Sequence, residues 1–282
     1  MKEKKPDFSI KRILVALDAS THSLAALKAA AELAASLHAE LIGLYVEDEN
    51  LLHLAGLPFA HEVRSPSATS EPIDSDKMEQ DLHLQASQAR YALEEAAARV
   101  NARWTFKVVR GQVTSAVLAE ALKADLLAMG RVSRPLMRKS RLGSTARAAS
   151  AGTRRSVLLM PHSGALNYPV LVTYDGSKAA KQALMAATRL AQASGDMLNV
   201  LLLYEAEAEA ESLQKEVSEW LEDRGLTADY HGLPQATVSE LARLVEAAEN
   251  CVLVLGGEDQ LMRAESIQEL LDRTDCPVML VR

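Results

Sequence analysis

The chain has 282 residues, of which 48% are hydrophobic and 24% are charged, and its net charge is −7. This length is about twice that of an ordinary domain and predicts two domains, while the composition excludes a disordered chain. Aromatic residues make up only 4% of the chain, which argues against a β-sandwich or a β-barrel.

No targeting or membrane segment is evident. The N-terminal segment MKEKKPDFSIKR is basic, but no apolar stretch follows it, so it does not form a signal peptide. Residues 157–174 lack Asp, Glu, Lys and Arg, but Pro161 and Pro169 interrupt them, which indicates strand, linker and strand. Two cysteines in a chain of this length argue against a disulfide framework and fit a reducing compartment. Cys251 and Cys276 are each flanked by apolar residues and are expected to be buried structural thiols. We therefore expect a cytoplasmic protein without a membrane span.

Apolar strand-like runs alternate with Ala/Leu-rich helical patterns along the first half of the chain. The first strand ends at an Asp-x-Ser helix-entry signal, Asp18 to Ser20. Predicted strands are 13–17, 40–46, 105–109, 125–129 and 156–160, and predicted helices are 78–100, 113–123 and one that begins at Ser144. Near-continuous apolar strands separated by helices predict an α/β fold, with a parallel sheet covered on both faces.

The second half repeats the first. Residues 13–44 and 170–201 align without a gap at a constant offset of 157 and share twelve identities in 32 positions. Asp18 aligns with Asp175, and Ser20 with Ser177. Further strands are predicted at 170–174, 197–204, 251–255 and 277–281, and helices at 205–224, 237–248 and 262–273. This duplication predicts one domain over residues 1–162 and another over 163–282.

One insertion breaks the repeat. Residues 47–77 have no counterpart in the second half and are rich in Pro, Ser and acidic residues, which is typical of a mobile surface loop. The insertion is either a lid over the strand ends or a tolerated addition.

Charge is divided unequally between the halves. Residues 1–162 carry a net charge of +4 and residues 163–282 carry −11. The segment 131–155 contains eight basic residues and no carboxylate, so it requires an anionic partner. The candidates are a phosphorylated small molecule, nucleic acid and the acidic second half. Overall acidity and the scarcity of aromatic residues disfavour nucleic acid.

A Gly-Ser-Thr sequence follows the fourth strand of the first half. Gly130 ends that strand, and residues 143–145 open the next helix. A glycine at a strand end allows close approach of a ligand, and the first turn of a helix offers free backbone N–H groups to an anion. Taken alone, a Gly-Ser-Thr sequence at this position is equally typical of an ordinary capped helix that binds no ligand.

Together these residues carry a resemblance to the universal stress protein family. The family combines a strand that ends in Asp-x-Ser with the motif Gly-x2-Gly-x9-Gly-[Ser/Thr]. This chain has Gly130-x2-Ser133-x9-Gly143-Ser144, with serine in place of the second glycine. The resemblance covers nearly the whole chain as two tandem copies. It implies two five-stranded parallel sheets of strand order 3-2-1-4-5, of the adenine nucleotide alpha hydrolase-like, Rossmann-like class.

The resemblance also implies a binding site for ATP or a related adenine nucleotide, accompanied by Mg²⁺, in the first domain only. Carried over by position, the ligand contacts are Asp18 beside the nucleotide, Val46 against adenine, Gly130 at the ribose, and Ser133, Gly143, Ser144 and Thr145 at the phosphates. The Ser133 side chain either crowds the phosphates or donates a hydrogen bond to them. Pairing of the last strands, 156–160 with 278–281, is implied within one chain, with a surface left for a homodimer.

The second copy departs from the motif. Aligning Gly256 with Gly130 places Asp259 opposite Ser133, Glu269 opposite Gly143 and Leu270 opposite Ser144. A carboxylate at a phosphate position is repulsive, so the second domain is predicted not to bind a triphosphate. Its role would be structural or partner-binding.

Three classes of function remain to be separated. The first is a nucleotide-responsive stress protein without catalysis, and the second is a scaffold that binds partners through charged surfaces. The third is an enzyme on a related fold, for which no signature motif and no P-loop is present. A phospho-receiver is excluded because the third strand ends in Arg110 rather than Asp. The seven histidines form no metal signature, and His22 is expected to be exposed in the first helical turn.

Overall fold

The structure is a computed structural model that describes residues 9–18, 20–57, 61–64, 69–72, 74–132, 142–162, 165–195, 198–248, 250–256 and 263–282. Strands and helices alternate through both halves. In the first half they are β1 (Arg12–Leu17), α1 (Thr21–Leu37), β2 (Glu40–Asp48), α2 (Glu49–Ala55), β3 (His61–Arg64), β4 (Thr69–Pro72), α3 (Ser75–Val100), β5 (Trp104–Gly111), α4 (Val113–Ala121), β6 (Leu126–Gly130), α5 (Ser144–Gly152) and β7 (Ser156–Met160). In the second half they are β8 (Val170–Tyr174), α6 (Lys178–Ser194), β9 (Leu198–Tyr204), α7 (Glu207–Glu222), β10 (Asp229–Pro234), α8 (Val238–Ala247), β11 (Val252–Leu255), α9 (Ala264–Arg273) and β12 (Val278–Leu280).

Ten strands form one continuous sheet in the order β10-β9-β8-β11-β12-β7-β6-β1-β2-β5. Within each half the order is 3-2-1-4-5 and the neighbouring strands are parallel. The two halves meet where β12 lies antiparallel to β7, with Met279 opposite Leu158. The predicted α/β fold class and its tandem five-stranded arrangement are therefore confirmed.

Each face of the sheet has its own apolar core, and both cores cross from one half to the other. The core under α1 and α6 includes Met160 of β7 and Met279 of β12, both almost fully buried. The core on the opposite face includes Val157 of β7 and Val278 of β12. Side chains alternate between the faces along each strand, so the central strands are apolar at successive positions. Because the cores are continuous, the junction between the halves packs like the interior of a single sheet.

Strand β10 was not predicted from the sequence. Its residues DYHGLP form the edge of the sheet; Tyr230 and Leu233 are half-buried and the other four are exposed. An edge strand packs fewer apolar side chains than a central one. The apolar run that identified the other strands is therefore missing here.

The insertion is not the loop that its composition predicted. Strand β2 continues to Asp48, and α2 follows directly, because the Asp48 side chain accepts a hydrogen bond from the Asn50 amide at 3.0 Å. Strands β3 and β4 then pair as an antiparallel hairpin. The Ser75 hydroxyl donates to the Ala55 carbonyl oxygen at 3.1 Å, which joins the end of α2 to the start of α3.

Candidate functional site

A cleft of about 530 Å³ opens at the carboxyl ends of the first-half strands. Its walls come from the ends of β1, β2 and β6, from the first turns of α4 and α5, and from α2 and α3. Ligands of parallel α/β sheets bind at this edge, where the direction of strand progression reverses. In the first half that reversal lies between β1 and β6, which are neighbours in the sheet.

Most of the predicted ligand contacts line this one cleft. They are Asp18, Val46, Gly130, Ser144 and Thr145. Gly143 lies immediately before Ser144 in the chain and is the N-cap residue of α5. Ser133 lies outside the described residues, as do residues 134–141 of the basic segment. The tertiary structure thus gathers residues that are more than a hundred positions apart in sequence.

The backbone amide of Gly143 already has a partner. It donates to the carbonyl oxygen of Arg131 at 2.7 Å, so Gly143 does not offer the phosphate-binding N–H that the motif implies. The next two residues, Ser144 and Thr145, open α5, and no side chain caps this end of the helix. First-turn amides have no acceptor within their own helix. Anion binding at α5 therefore falls to Ser144 and Thr145.

The hydroxyl of Thr145 is held by a residue of the neighbouring helix α4. It lies 2.9 Å from the hydroxyl of Thr114, in the first turn of α4. This contact fixes the two helix N-termini against each other and places two hydroxyls on the same wall. Thr114 was not predicted, because its distance in sequence from the Gly-Ser-Thr motif conceals the contact.

Asp18 stabilises the turn before α1, and its repeat equivalent Asp175 stabilises the turn before α6. Its carboxylate accepts a hydrogen bond from the Ser20 amide at 3.0 Å, and Ser20 caps α1. In the second half Asp175 accepts from the Ser177 amide at 2.9 Å, and Ser177 caps α6. The Asp-x-Ser signal therefore shapes the strand-to-helix turn whether or not a ligand binds.

Gly130 is also explained by packing. A Cβ atom at this position would lie 2.7 Å from the His22 Cβ atom, in the first turn of α1. At Gly256 in the second half a Cβ atom would lie 2.7 Å from the carbonyl oxygen of Ala179, the repeat equivalent of His22. Both glycines let the following helix approach the end of the fourth strand. The retention of Gly256 in the degenerate copy shows that this glycine is not by itself a mark of ribose contact.

The alignment of the second motif requires correction. Helix α9 begins at Ala264 with Arg263 as its N-cap, whereas Glu269 lies in the middle of the helix and pairs with Arg273 at 2.8 Å. The residue equivalent to Gly143 is therefore Arg263, and the loop after Gly256 is six residues shorter than the loop after Gly130. An ungapped alignment placed Glu269 there because it carried no information about where the helix begins. The first turn of α9 contains Glu265 in place of the Ser-Thr pair.

The described part of the cleft wall is acidic. Asp18 and Asp48 line it, and no Lys, Arg or His is among the described lining residues. Arg131, the first residue of the basic segment, turns away from the cleft: it is 3% exposed, and its guanidinium donates to backbone carbonyls of the second half. Arg131 thus contacts the second half, and these contacts are with neutral backbone carbonyls.

His22 is not the exposed residue that its position predicted. It is half-buried, and its ring lies 5.1 Å from that of His162, centroid to centroid. Burial, and then the neighbouring His162, lower the pKa of His22, while Asp18 and Asp275 oppose this shift. The Nδ1 atom of His22 is buried without a hydrogen-bond partner among the described residues.

Three further polar side chains, those of Tyr45, Gln85 and Asn50, line the cleft and were not predicted from the sequence. The hydroxyl of Tyr45, which is 3% exposed, donates to Oε1 of Gln85 on α3 at 3.0 Å. From α2, Asn50 and Leu51 line the same cleft. Tyr45 is the single aromatic residue of β2, and this is the only sequence signal that marked any of these residues. The insertion thus supplies part of the cleft wall.

Neither a metal cluster nor a membrane-spanning helix is present in the part of the chain that the structure describes. No group of three or more His, Cys, Asp or Glu side chains there is arranged to hold a metal ion. None of the helices in the same residues is both long and apolar enough to cross a bilayer.

Comparison with solved structures shows the same fold in proteins of low sequence identity. A universal stress protein from Archaeoglobus fulgidus DSM 4304 is 16% identical, with a TM-score of 0.71 over 95% of this chain and 97% of that one. A universal stress protein from Pseudomonas aeruginosa is 13% identical, with a TM-score of 0.60 over 97% of this chain and 93% of that one. The cytoplasmic domain of a prokaryotic cation chloride cotransporter is 10% identical, with a TM-score of 0.54 over 97% and 95% of the two chains. No curated protein matches the sequence significantly.

The family is shown by the sequence of the first half. The sequence profile of the universal stress protein family matches residues 9–161, which is more than half of the chain. The fold of both halves and the internal repeat extend the same architecture to the C-terminus. The chain therefore belongs to the universal stress protein family.

Proposed function

We propose that the first half binds ATP or a related adenine nucleotide in this cleft, as a regulatory ligand in a stress response. The observation that carries the proposal is that five of the seven residues implied by the family motif line one cleft. Its volume of about 530 Å³ lies in the range of small-molecule sites. The second half, without the Ser-Thr pair at α9, acts as a structural partner.

The cleft has a polar and an apolar end. The first turn of α5, with Ser144 and Thr145, suits phosphate oxygens because unpaired N–H groups and the helix dipole both favour an anion. Val46 and Tyr45 of β2 and Gln85 of α3 line another part of the cleft, where the Tyr45 hydroxyl donates to Gln85. An adenine ring would lie in this part of the cleft, with its edge toward the backbone of Val46.

The two carboxylates of the cleft require a cation beside a triphosphate. Each pair of like charges about 4 Å apart costs about 1 kcal/mol in water and more in a cleft. Asp18 and Asp48 are the residues that would hold Mg²⁺, which prefers carboxylate and phosphate oxygens. The ion would supply charge neutralisation for the phosphates.

We assign no reaction to this cleft. Among its described lining residues the ionisable side chains are Asp18, Asp48 and Tyr45. The Asp18 carboxylate is engaged by the Ser20 amide and the Tyr45 hydroxyl by Gln85. Neither the Asp18 carboxylate nor the Tyr45 hydroxyl is held by a second residue that would activate it as a general base. We therefore propose that the cleft binds its ligand without turnover.

The burial of Arg131 in the second half favours one alternative, a scaffold that uses charge to hold its halves or a partner together. In that case no nucleotide enters the cleft, and the salt concentration changes the association of the halves or of the partner instead.

We also expect, for either function, a cytoplasmic protein that forms a homodimer. Light scattering on the purified full-length chain measures the subunit count.

Isothermal titration of the full-length protein with ATP and Mg²⁺ tests the proposal, with two matched variants. Ser144→Glu places a carboxylate in the first position of α5, and Ala264→Glu places one in the first position of α9. Both positions are exposed, so both variants are expected to fold. Ser144→Glu should abolish binding, and Ala264→Glu should leave it intact.

A thermal scan provides the second readout. ATP at a hundred times its dissociation constant stabilises the folded state by about 2.7 kcal/mol. A flat titration of the unmodified protein together with an unchanged melting temperature would contradict nucleotide binding and favour the scaffold. Equal loss of binding in both variants would place the nucleotide outside the first-half cleft.

A further inference from the structure

The two cysteines of the chain lie opposite each other on neighbouring strands. Leu253 of β11 is paired with Val278 of β12 in the parallel ladder. Cys251 and Cys276 each stand two residues earlier, so the same register sets them side by side. Opposite residues on adjacent strands have Cα atoms about 4.8 Å apart, and disulfides bridge Cα distances of about 4.4 to 6.8 Å. The Cα separation set by the strand register therefore lies within the range that a disulfide spans.

Both side chains point to the same face of the sheet. Cys251 and Cys276 belong to the apolar core under α8 and α9. The two thiols are close enough for each to perturb the pKa of the other, and the Cys251 Sγ atom lies 4.0 Å from the Val245 carbonyl oxygen near the end of α8. Two neighbouring thiols on one face of adjacent strands are the arrangement from which a disulfide can form.

The two thiols differ in character. The neighbouring Cys251 thiol and the positive charge of Arg131 lower the pKa of Cys276, against the effect of burial, which raises it. The neighbouring Cys276 thiol, together with burial, raises the pKa of Cys251. Both residues are buried. The thiolate is the nucleophilic form of cysteine, so the attacking role falls to Cys276 and the resolving role to Cys251.

We propose that Cys251 and Cys276 form a redox-active pair, which a hydroperoxide converts into an intrachain disulfide. The Cys276 thiolate attacks the terminal peroxide oxygen, the O–O bond breaks, and the alkoxide or hydroxide that leaves takes up the thiol proton. Cys276 is then a sulfenic acid. The Cys251 sulfur attacks that sulfur, the S–O bond breaks, and hydroxide leaves with the Cys251 proton as water. In sum, two thiols lose two electrons, and one hydroperoxide is reduced to an alcohol and water.

Arg131 connects this pair to the rest of the molecule. Its guanidinium donates to the carbonyl oxygen of Cys276, and its own carbonyl accepts from the Gly143 amide at 2.7 Å. Arg131 therefore connects the cysteine pair to Gly143, the N-cap residue of α5. The bond also closes a loop that contains α9, so the oxidised protein is expected to melt about 5 °C higher.

Peptide mapping after oxidation tests the proposal. The full-length folded protein is treated with hydrogen peroxide, quenched, unfolded in iodoacetamide and digested without reductant. We expect a peptide pair joined through Cys251 and Cys276, loss of both free thiols, and recovery of both after dithiothreitol. Two free thiols, irreversible oxidation without a link, or a bond between two chains would each overturn the proposal.

Two variants assign the roles of the sulfurs. In Cys251→Ser the sulfenic acid at Cys276 has no resolving thiol and should be trapped by dimedone. In Cys276→Ser the remaining Cys251 should stay unmodified under the same treatment. Circular dichroism establishes that each variant is folded. Dimedone labelling of Cys251 at the same rate as Cys276 would contradict the assigned roles, and the result on the unmodified chain does not depend on either variant.

Discussion

Arg131 and Arg282 make the same contact in opposite directions across the junction of the two halves. Arg131 donates to the carbonyl oxygen of Thr274, the C-cap residue of α9, at 2.6 Å, and Arg282 donates to that of Thr153, the C-cap residue of α5. Each guanidinium also reaches the carbonyl three residues earlier in the same helix. Cations at a helix C-terminus satisfy free carbonyls and complement the helix dipole. Each half thus completes the last helix of the other.

We expect Arg131→Met to lower the free energy of unfolding by about 3 kcal/mol, because it leaves buried carbonyl oxygens without a donor. Arg131 is 3% exposed. Arg282 is exposed in part at the C-terminus, so Arg282→Met should cost only about 1 kcal/mol. Urea denaturation measures both values.

Arg99→Met is the control for this pair of variants. Arg99 forms an exposed ion pair with Glu95 one helical turn away, and such pairs contribute less than about 0.5 kcal/mol. A cost for Arg131→Met no larger than that of Arg99→Met would show that the guanidinium contacts do not hold the halves together.

Gly130→Ala and Gly256→Ala should each destabilise the protein by about 2 kcal/mol, because both overpack the same helix-to-strand contact. The added Cβ atoms would lie 2.7 Å from the His22 Cβ atom and 2.4 Å from the Ala183 Cβ atom. Gly152→Ala is the control, since nothing lies within 4 Å of a Cβ atom there. If Gly130→Ala lost only ligand affinity and kept full stability, the packing explanation of this glycine would be wrong.

Replacing Mg²⁺ by EDTA should weaken the binding of ATP about tenfold or more, which corresponds to about 1.4 kcal/mol. The reason is the unscreened repulsion between the phosphates and the carboxylates of Asp18 and Asp48. Titration calorimetry in the two buffers gives the ratio. Equal affinity with and without the ion would mean that positive groups outside the described cleft wall neutralise the phosphates.

The stability of the protein should fall as the pH drops below the ordinary pKa of histidine, 6.5. Burial and His162 lower the pKa of His22 in the folded state, against the opposing effects of Asp18 and Asp275. The unfolded state then binds more protons than the folded state between the two pKa values, so stability rises with pH in that window. Above 6.5 this cost is absent, and below the folded-state pKa it is fully present.

His22→Gln should flatten this part of the profile relative to the unmodified protein, as measured by melting temperature from pH 7.5 downward. The exposed His53→Gln variant is the control for the removal of a histidine elsewhere in the chain. Should His22→Gln leave the pH profile unchanged, another group would be responsible for the acid sensitivity.

Local patterns predicted most of the architecture. The β7 and β8 boundaries agree with those predicted from apolar runs, and the Asp-x-Ser signal marked the N-caps of α1 and α6. These features depend on neighbours in sequence, such as alternating burial along a strand or a side chain that caps its own helix. They fail at β10, where the edge of a sheet removes the apolar signal, and at α2, whose polar surroundings resemble a loop.

The candidate site was predicted in part, for the same reason. Asp18, Val46, Gly130, Ser144 and Thr145 were identified because the family motif fixes their order and spacing in the chain. The structure then showed that the Gly143 amide is already bonded, which no spacing reveals.

The sequence by itself determined the repeat, the alternation of strands and helices, and the resemblance to the family, because each depends only on the types of residues and their order along the chain. Only the tertiary structure decided that Arg131 and Arg282 cap each other's halves, that Gln85 holds Tyr45, and that two cysteines stand side by side. Those contacts join residues that are distant in the chain, and their geometry follows from the register of strands and the packing of helices rather than from any local preference.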